Sequence, residues 1–341
     1  MLAATYLDAY KIEALETPIP KPGKNEALIK VFSCGICGSD LAIVSGKHPR
    51  AKPPLVIGHE FAGEVVELPK GADIDIKIGD SVTLFPLLTC GECYACRHGF
   101  SHVCKHLQLI GFDRNGGMAE YVSAPLDMLV KLPDFMSYET GSLIEPLSVC
   151  VHSVDMSPVT PADNTVVIGA GPIGLLTAMV LQHLGVENLY ISDIDPFRIE
   201  IAKSIGLNAI NSAEVDIVKY IEEITSGDFA DIVFEVAGVQ ESARQMTELL
   251  RSRGTIINVS VFKNQPGVDM RAINYKELTV IGTRVYTMDD YRQAIEIAGE
   301  LPLHKIVTHR LPLTNVSNAF DLYFSGKNVC KVLFQNEREF I

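Results

Sequence analysis

A glycine-rich run at residues 165–174 limits the folds open to this chain more than any other stretch. The run Thr165-Val-Val-Ile-Gly-Ala-Gly-Pro-Ile-Gly174 is an apolar segment that ends in G-x-G-x-x-G, and a helix-forming segment follows it. A second apolar segment, residues 188–192, ends at Asp193, which is 19 residues beyond Gly174. A strand, a glycine turn, a helix and an acidic residue in this order predict the first βαβ unit of a dinucleotide-binding sheet.

Each glycine of this motif has a distinct expected role. Gly169 makes the turn, Gly171 lets the backbone approach a pyrophosphate, and Gly174 permits close packing of helix on strand. The N–H groups at the start of the helix then face the phosphates. Asp193 would accept hydrogen bonds from the adenosine ribose and repel a 2′-phosphate, which favours NAD over NADP. Methyltransferases also use a glycine-rich first turn, so this motif alone leaves them as an alternative.

Strand-like and helix-like segments continue to alternate as far as residue 284, which predicts a parallel sheet of about six strands with crossover helices. The first third of the chain differs, because short apolar runs such as Glu26–Phe32 are separated by Pro and Gly, a pattern typical of β-structure. Residues 41–57 are expected to form a loop. At 341 residues the chain exceeds the size at which one core stops growing, so we expect two domains in an α/β protein.

Four of the eight cysteines fall within 15 residues, spaced C-x2-C-x2-C-x7-C, at Cys90, Cys93, Cys96 and Cys104. In a reducing compartment this spacing is more typical of a metal site than of disulfides. Four thiolates complete a tetrahedral zinc shell with no open position, so the predicted site is structural. The neighbouring histidines are then not needed as ligands.

A second candidate metal site lies earlier in the chain. Cys37, His59 and Glu60, each close to a glycine, offer a thiolate, an imidazole and a carboxylate. Three such ligands hold zinc with one position open, which is the catalytic type. Glu145 lies in an apolar stretch, where a carboxylate is costly unless it is paired, protonated or bound to a metal. From spacing alone, an ordinary salt-bridged Glu145 remains an equal alternative.

Composition excludes several classes of partner. The formal charge is −13 and no block of Lys and Arg occurs, which argues against nucleic acid and against an anionic membrane surface. No apolar run reaches the roughly 20 residues of a membrane span, and the N-terminus lacks the basic and apolar regions of a signal peptide. We therefore expect a cytoplasmic protein that acts on a small molecule.

With these motifs in place, the chain resembles the zinc-dependent medium-chain alcohol and polyol dehydrogenases over essentially its full length. The matching motifs are Cys37-Gly-Ser-Asp40, Gly58-His-Glu60, the four-cysteine cluster, Gly116-Gly-Met-Ala-Glu-Tyr121, Glu145-Pro-Leu-Ser148 and Gly169–Gly174. The resemblance implies a GroES-like β-rich catalytic domain, residues 1–150 and 286–341, split around a Rossmann NAD-binding domain, residues 151–285. It also implies a homo-oligomer, either a tetramer or a dimer.

The resemblance also implies roles for individual residues. Cys37, His59 and Glu60 are expected to ligate a catalytic zinc, and Glu145 to lie at the metal and to ligate it or exchange with water. Ser39 is expected to take the proton of the substrate alcohol, and Asp40 to orient the zinc-bound histidine. The four cysteines correspond to a structural zinc lobe, which makes two zinc ions per chain. The expected NAD contacts, besides the glycines, are Ile173, Asp193 and Arg198, together with Val259, Val261, Thr283 and Arg284.

The implied reaction is the NAD-linked oxidation of a secondary alcohol of a polyol, diol or sugar derivative to a ketone, in a cleft that excludes water. Sugar acids of the galactonate type and sugar-alcohol phosphates are alternatives, since Arg284 and the basic loop Lys47–Lys52 could recognise an anion; ordinary surface charge is the favoured explanation of these residues. Ala42 replaces the histidine that many relatives use to pass the proton to solvent, which argues against an L-threonine dehydrogenase, although the chain otherwise resembles one and this activity is kept as a further alternative. A non-catalytic nucleotide-sensing relative is a further alternative, although no zinc ligand is missing.

Overall fold

The computed structural model describes residues 1–326 and 328–335. The chain divides into two compact units. Unit 1 comprises residues 1–145, 287–299 and the described residues from 307 onward, and unit 2 comprises residues 146–286 and 300–306. Compactness alone defines these units, so the family domain boundaries expected from the sequence stay a prediction.

The strands, in chain order, are β1 (Leu2–Asp8), β2 (Lys11–Glu16), β3 (Glu26–Gly35), β4 (Leu55–Val56), β5 (Glu60–Glu67), β6 (Ser81–Leu84), β7 (Leu87–Leu88), β8 (Gln108–Leu109), β9 (Tyr121–Pro125), β10 (Leu129–Lys131), β11 (Thr165–Ile168), β12 (Leu189–Asp193), β13 (Asn208–Asn211), β14 (Ala230–Glu235), β15 (Leu250–Asn258), β16 (Thr279–Gly282), β17 (Val307–Leu311) and β18 (Lys331–Gln335).

The α-helices are α1 (Gly38–Val44), α2 (Tyr94–Arg97), α3 (Tyr138–Ser142), α4 (Ile144–Asp155), α5 (Pro172–His183), α6 (Pro196–Ser204), α7 (Ile217–Ile224), α8 (Gln240–Glu248), α9 (Met270–Tyr275), α10 (Met288–Ala298) and α11 (Val316–Ser325). Short 3-10 turns occur at Ser101–Val103, Leu126–Met128, Leu303–Ile306 and Leu313–Asn315. Within the described part of the chain, no helix is long and apolar enough to cross a membrane.

Unit 2 is built on one parallel sheet of six strands in the order β13-β12-β11-β14-β15-β16. The central strand β11 is fully buried, as expected for a parallel sheet that is covered on both faces. The strand order reverses between β11 and β14, and ligands of such sheets bind beside the carboxyl ends of the strands at this switch point. The predicted Rossmann fold is thus confirmed, and it places the glycine-rich turn after β11 at this edge.

Unit 1 contains a seven-stranded sheet whose main path is β10-β6-β5-β3-β18-β17, with β9 also paired to β3. Smaller sheets join β2, β1 and β4, and β7 and β8. The long strand β3 pairs antiparallel with both β5 and β18. The segments that carry the candidate metal ligands leave the ends of these central strands, which brings residues from distant parts of the sequence together.

One expectation was wrong in part. The stretch expected to be a loop from residue 41 contains most of α1, which continues to Val44, and it also contains the short strand β4. The helix begins at Gly38 and has only seven residues, too few to show an amphipathic repeat in the sequence.

Candidate active site and metal centres

Cys37, His59 and Glu60 meet because β3 and β5 pair antiparallel, with Gly35 opposite Glu60. Cys37 follows the end of β3 and is the N-cap of α1, whereas His59 immediately precedes β5. The ligand atoms of the three side chains all lie within 4.8 Å of one another. His59 and Glu60 are buried and Cys37 is half-buried. A thiolate, an imidazole and a carboxylate in this arrangement fit zinc with a position left open.

Asp40 orients both Cys37 and His59. Its Oδ2 accepts a hydrogen bond from the Cys37 N–H at 2.9 Å, and its Oδ1 lies 3.8 Å from His59 Nδ1, which is an ion-pair distance too long for a hydrogen bond. Since Nδ1 faces Asp40, Nε2 is left for a ligand. Without a metal, burial raises the pKa of Asp40 to about 6. Burial alone would lower the pKa of His59, but the charges of Asp40, Cys37 and Glu145 raise it well above its usual value.

Ser39 lies in the first turn of α1, between Cys37 and Asp40 in the sequence. Its Oγ is buried and makes no hydrogen bond to any described residue, as is also true of Asp40 Oδ1 and His59 Nδ1. A buried polar atom without a partner is costly, so it usually has a partner that is not part of the protein itself. Asp40 Oδ1 and His59 Nδ1 face each other, so the Ser39 hydroxyl is the atom of the three that is left for a polar ligand.

Glu145 lies in the first turn of α4 and is only 6% exposed. It does not belong to the set of ligand atoms within 4.8 Å of one another, which contains only Cys37, His59 and Glu60. Its charge nevertheless contributes to the raised pKa of His59. Glu145 is therefore an acidic neighbour of the cluster rather than a fourth member of it in this conformation.

The four cysteines of the lobe 90–104 form the second cluster. Their sulfurs are 3.5 Å apart for Cys93–Cys96 and Cys90–Cys104, 3.8 Å for Cys93–Cys104 and 3.9 Å for Cys90–Cys96. A tetrahedral ion with Zn–S bonds of about 2.3 Å requires sulfurs about 3.8 Å apart, so the lobe fits zinc as it stands. Backbone N–H groups that donate to the sulfur lower the pKa of Cys93 to about 6, which favours the thiolate that a metal needs.

The glycine-rich turn of unit 2 has the geometry of an anion site. Gly169 has φ +106°, and a Cβ on Gly174 would lie 1.8 Å from the Gly169 carbonyl oxygen, so both positions require glycine. A Cβ on Gly171 would instead meet only open space. Gly171 is the N-cap of α5 and supplies no capping side chain, which leaves the first N–H groups of this 12-residue helix available to a phosphate.

Asp193 ends β12 beside this turn and is 9% exposed. Its carboxylate accepts hydrogen bonds from the N–H groups of Ala170 at 2.7 Å and Asp195 at 2.9 Å. Arg198 Nη1 lies 3.6 Å from the same carboxylate, and its Nε lies 3.7 Å from Asp195. Asp193 therefore also holds the glycine turn in place. The sequence predicted only a contact of Asp193 with the ribose and not this structural role.

The remaining predicted nucleotide contacts lie on the same unit. Ile173 is in the first turn of α5, and its carbonyl accepts a weak hydrogen bond from the Cys150 thiol at 3.4 Å. Val259 follows β15 and donates its N–H to the Glu235 carbonyl at 3.0 Å, whereas Val261 is 84% exposed. Thr283 follows β16 and donates its N–H to the Asn258 carbonyl at 3.1 Å, and the next residue, Arg284, is exposed.

Two features of the site were not found in the sequence. Lys331 on β18 is 2% exposed and its ammonium group contacts the Glu60 carboxylate. In the basic loop, Arg50 Nη2 lies 3.3 Å from Asp113, and its other terminal nitrogen donates to the Leu107 carbonyl. Arg50 is thus engaged with the protein, while Lys47 and Lys52 are exposed. Neither Lys331 nor Asp113 belongs to a recognisable motif, so sequence alone offered no signal for these pairs.

A dinucleotide-type sheet combined with an open Cys-His-Glu cluster and a closed four-cysteine cluster defines the class of zinc-dependent, nucleotide-linked dehydrogenases. Comparison with known families agrees with this class. Residues 23–134 match the alcohol dehydrogenase GroES-like domain, and residues 172–300 match the zinc-binding dehydrogenase family.

Relatives match almost the whole chain. The 2-dehydro-3-deoxy-L-galactonate 5-dehydrogenase of Pseudoalteromonas atlantica is 33% identical over 323 residues, which cover 94% of each chain. The L-threonine 3-dehydrogenase of Pyrococcus abyssi is 35% identical over 339 residues, 96% of this chain and 95% of the relative. An Escherichia coli CFT073 alcohol dehydrogenase, solved with NADH, is 28% identical with a TM-score of 0.91 and covers 98% of this chain and 99% of its own. The chain belongs to the zinc-binding alcohol dehydrogenase family.

Proposed function

We propose that this enzyme oxidises a secondary alcohol of a polyol, diol or sugar derivative to the ketone, with NAD as the hydride acceptor. The observation that carries the proposal is the partnerless Ser39 hydroxyl beside the open Cys37-His59-Glu60 cluster. Such a site can bind an alcohol oxygen and remove its proton. The chain also carries a glycine turn with free helix N–H groups and the acidic residue Asp193, which suit NAD.

Zinc bound at the open cluster supplies a Lewis acid that lowers the pKa of the substrate hydroxyl, and NAD supplies the hydride acceptor. Cys37, His59 and Glu60 would hold the metal, and Asp40 keeps the imidazole turned so that Nε2 faces it. Ser39 Oγ would accept the proton of the substrate hydroxyl and pass its own hydroxyl proton on to water, while the carbinol hydrogen leaves as hydride to NAD. The Glu145 carboxylate would lie beside the cluster, where it could serve as an alternative ligand of the metal. The alcohol thereby loses one proton and one hydride.

The proposed test is NADH formation by the zinc-loaded enzyme across a panel of polyols, diols, aldonates, sugar phosphates and L-threonine. We expect turnover with at least one polyol, diol or sugar derivative. The Cys37→Ser variant should lose this turnover while its NAD affinity, measured by fluorescence titration, stays within about twofold, because Cys37 is a ligand of the metal and not of the nucleotide. A fully active Cys37→Ser enzyme would refute the role of the cluster. Absence of turnover with the whole panel, despite two bound zinc ions, would favour a nucleotide-sensing protein.

A second candidate substrate class is an anionic sugar derivative, either a sugar acid or a sugar phosphate. The exposed cations Lys47, Lys52 and Arg284 favour it, as does the similarity to a dehydrogenase named for a galactonate derivative. Arg50 does not contribute, because Asp113 and a backbone carbonyl already bind its guanidinium. If the substrate is anionic, Arg284→Gln should raise its KM at least tenfold and leave the KM of a neutral polyol unchanged. An unchanged KM for the anionic substrate in the variant would exclude this role.

The enzyme is also proposed to be a cytoplasmic homo-oligomer, as a dimer or tetramer. None of the eight cysteines, all of which lie in the described residues, forms a disulfide, which suits thiolate clusters in a reducing compartment. Strand β16 ends the six-stranded sheet and leaves Val280 49% exposed, with Tyr275 and Met270 exposed nearby in sequence. An exposed apolar edge strand has unpaired backbone groups, and a second copy of the chain can bury them in a subunit interface. Light scattering of the purified protein tests this assembly, and a monomer at micromolar concentration would refute it.

A further inference from the structure

Glu235 is a buried carboxylate to which the proposed reaction assigns no role. It is the last residue of β14 and is 0% exposed. Its Oε1 accepts hydrogen bonds from the N–H groups of Ala237 at 3.0 Å and Gly238 at 2.7 Å, and from the Ser242 hydroxyl at 2.6 Å. Its Oε2 accepts one from the Ser260 hydroxyl, and no cationic side chain of the described residues pairs with it. Backbone N–H groups can only donate, so these contacts suit the ionised form, whose charge has no counter-ion here.

The segment that Glu235 holds packs directly against the glycine-rich turn. Strand β14 is the neighbour of β11 across the switch point, with Glu235 opposite Ile168. The N–H of Val236 donates to the Ile168 carbonyl at 3.1 Å. A Cβ on Gly169 would lie 3.1 Å from the Ala237 Cβ, so the turn and this segment are in close contact. The carboxylate therefore lies one residue away from the wall of the expected nucleotide site.

The strand order assigns Glu235 to one half of that site. A dinucleotide lies across the carboxyl ends of such a sheet, with one nucleotide on either side of the switch point. Asp193, which ends β12, suits the adenosine ribose, and this leaves β14, β15 and β16 for the nicotinamide half. Glu235 ends the first of these strands. Its backbone carbonyl also accepts the N–H groups of Val259 at 3.0 Å and Ser260 at 3.2 Å, so it holds the loop after β15 as well.

The charge of this carboxylate acts differently on the two redox states of the nucleotide. The nicotinamide ring carries one positive charge in oxidised NAD and none in NADH. A fixed negative charge nearby therefore stabilises bound oxidised NAD and leaves bound NADH almost unchanged. The effect is stronger than it would be on the surface, because Glu235 is fully buried and solvent does not screen it.

We propose that Glu235 is a positioning residue of the nicotinamide half, and that its uncompensated charge favours binding of oxidised NAD over NADH. Its hydrogen bonds fix the loops after β14 and β15, and its charge makes NADH the more easily released form. Both effects favour the direction of alcohol oxidation. This inference rests on the proposed use of NAD but not on any particular substrate.

The test is the ratio of the Kd for oxidised NAD to the Kd for NADH, both measured by isothermal titration calorimetry. Glu235→Gln keeps an oxygen that accepts from the two N–H groups, and its amide can donate to the Ser260 hydroxyl, so it removes the charge and little else. The Kd for oxidised NAD should rise about 5–10-fold and that for NADH by less than twofold. A purely structural role would raise both Kd values by the same factor.

Two controls separate the charge from the hydrogen bonds. Glu223→Gln removes an exposed carboxylate from α7 of the same unit and should leave both Kd values unchanged, because solvent screens that charge. Ser260→Ala removes a hydrogen bond of Glu235 but not its charge. It should loosen the loop after β15 and raise both Kd values by a similar factor, so that their ratio stays at the wild-type value.

An unchanged ratio of the two Kd values in Glu235→Gln would overturn the inference. If that variant folds poorly, Glu235→Asp and Glu235→Asn form an equivalent pair, since both shorten the side chain and only one keeps the charge. The ratio should then be about 5–10-fold higher in Glu235→Asn than in Glu235→Asp, and equal ratios would again overturn the inference. Failure of the substrate panel would refute the proposed function and leave these nucleotide affinities measurable.

Discussion

At the scale of single residues, Ser39 differs from the other hydroxyls near the metal cluster. Its buried Oγ makes no hydrogen bond to the described protein, so replacing it leaves no unsatisfied partner behind. We therefore predict that Ser39→Ala folds normally and binds zinc and NAD as the wild type does. Its kcat should fall about 10²–10⁴-fold, the usual contribution of a positioned proton acceptor. Steady-state kinetics with the best alcohol of the panel measure this.

The matched control is Ser45→Ala at the other end of α1. The Ser45 hydroxyl donates to the Ala42 carbonyl at 3.1 Å and is already satisfied within the helix. Its removal should change kcat by less than twofold. Wild-type kcat in Ser39→Ala would assign the proton transfer to another group, and restored activity in Ser39→Thr would support the hydroxyl itself.

Asp193 leads to a prediction about cofactor choice. The carboxylate is expected to repel a 2′-phosphate, and it lies 3.6 Å from Arg198 Nη1. Asp193→Asn keeps an acceptor for the Ala170 N–H but removes the charge, which frees Arg198 to meet a phosphate. The KM for NAD should rise about tenfold and the KM for NADP should fall.

Asp216→Asn is the matched control, because Asp216 caps α7 of the same unit with the same kind of hydrogen bond. It should leave both KM values unchanged. If the KM for NADP does not fall in Asp193→Asn, other residues discriminate between the two nucleotides.

Single residues also show where prediction from sequence ends. Cys37, His59 and Glu60 stand beside glycines in short motifs, so their residue types were enough to predict a site that the folded chain brings within 4.8 Å. Lys331 is 271 positions from Glu60 in sequence and belongs to an ordinary β-strand pattern. A contact of this kind depends on the register of β18 against β3, which no local pattern specifies.

At the scale of elements, the parallel sheet of unit 2 was predictable from the sequence, whereas the short helices were not. The parallel sheet follows from alternating strand and helix segments, and the six strands β11 to β16 occur where such segments were expected. Their ends differ by a few residues: the sequence pattern predicts a strand from Gly254 to Phe262, whereas β15 spans Leu250–Asn258. Short helices such as α1 and α9 were missed because one or two turns carry no periodic pattern.

The four-cysteine lobe supports a prediction about metal removal. Outside its cysteines the lobe 90–104 has no buried residue, so the metal replaces a hydrophobic core there. Cys104→Ser should lower the zinc content by one ion per chain and reduce Tm by about 5–10 °C. Metal analysis and differential scanning fluorimetry measure the two effects.

Cys150→Ser is the control for this lobe variant. Cys150 is equally buried but donates to the carbonyls of Pro146 and Ile173, contacts that a serine can also make. It should retain both zinc ions. A Cys104→Ser protein that still binds two zinc ions would contradict the assignment of the lobe.

At the scale of the whole molecule, the two kinds of ligand belong to different compact units. Both candidate zinc clusters lie in unit 1, and the glycine-rich turn with Asp193 lies in unit 2. A ligand stabilises the segments that bind it by an amount set by its own affinity, about 2.7 kcal/mol at 100 times Kd. Zinc and NAD should therefore protect separate parts of the chain.

Hydrogen exchange followed by mass spectrometry tests this separation. NAD added to the metal-free protein should slow exchange in peptides from residues 165–200, because their N–H groups lie at or beside the glycine turn. Zinc added without NAD should instead slow exchange in residues 34–60 and 90–104, where its ligands lie. The Cys37→Ser variant should lose the zinc-dependent protection of residues 34–60 and keep that of residues 90–104. If NAD protected nothing until zinc was bound, nucleotide binding would depend on the metal, and the two units could not be treated as separate binding modules.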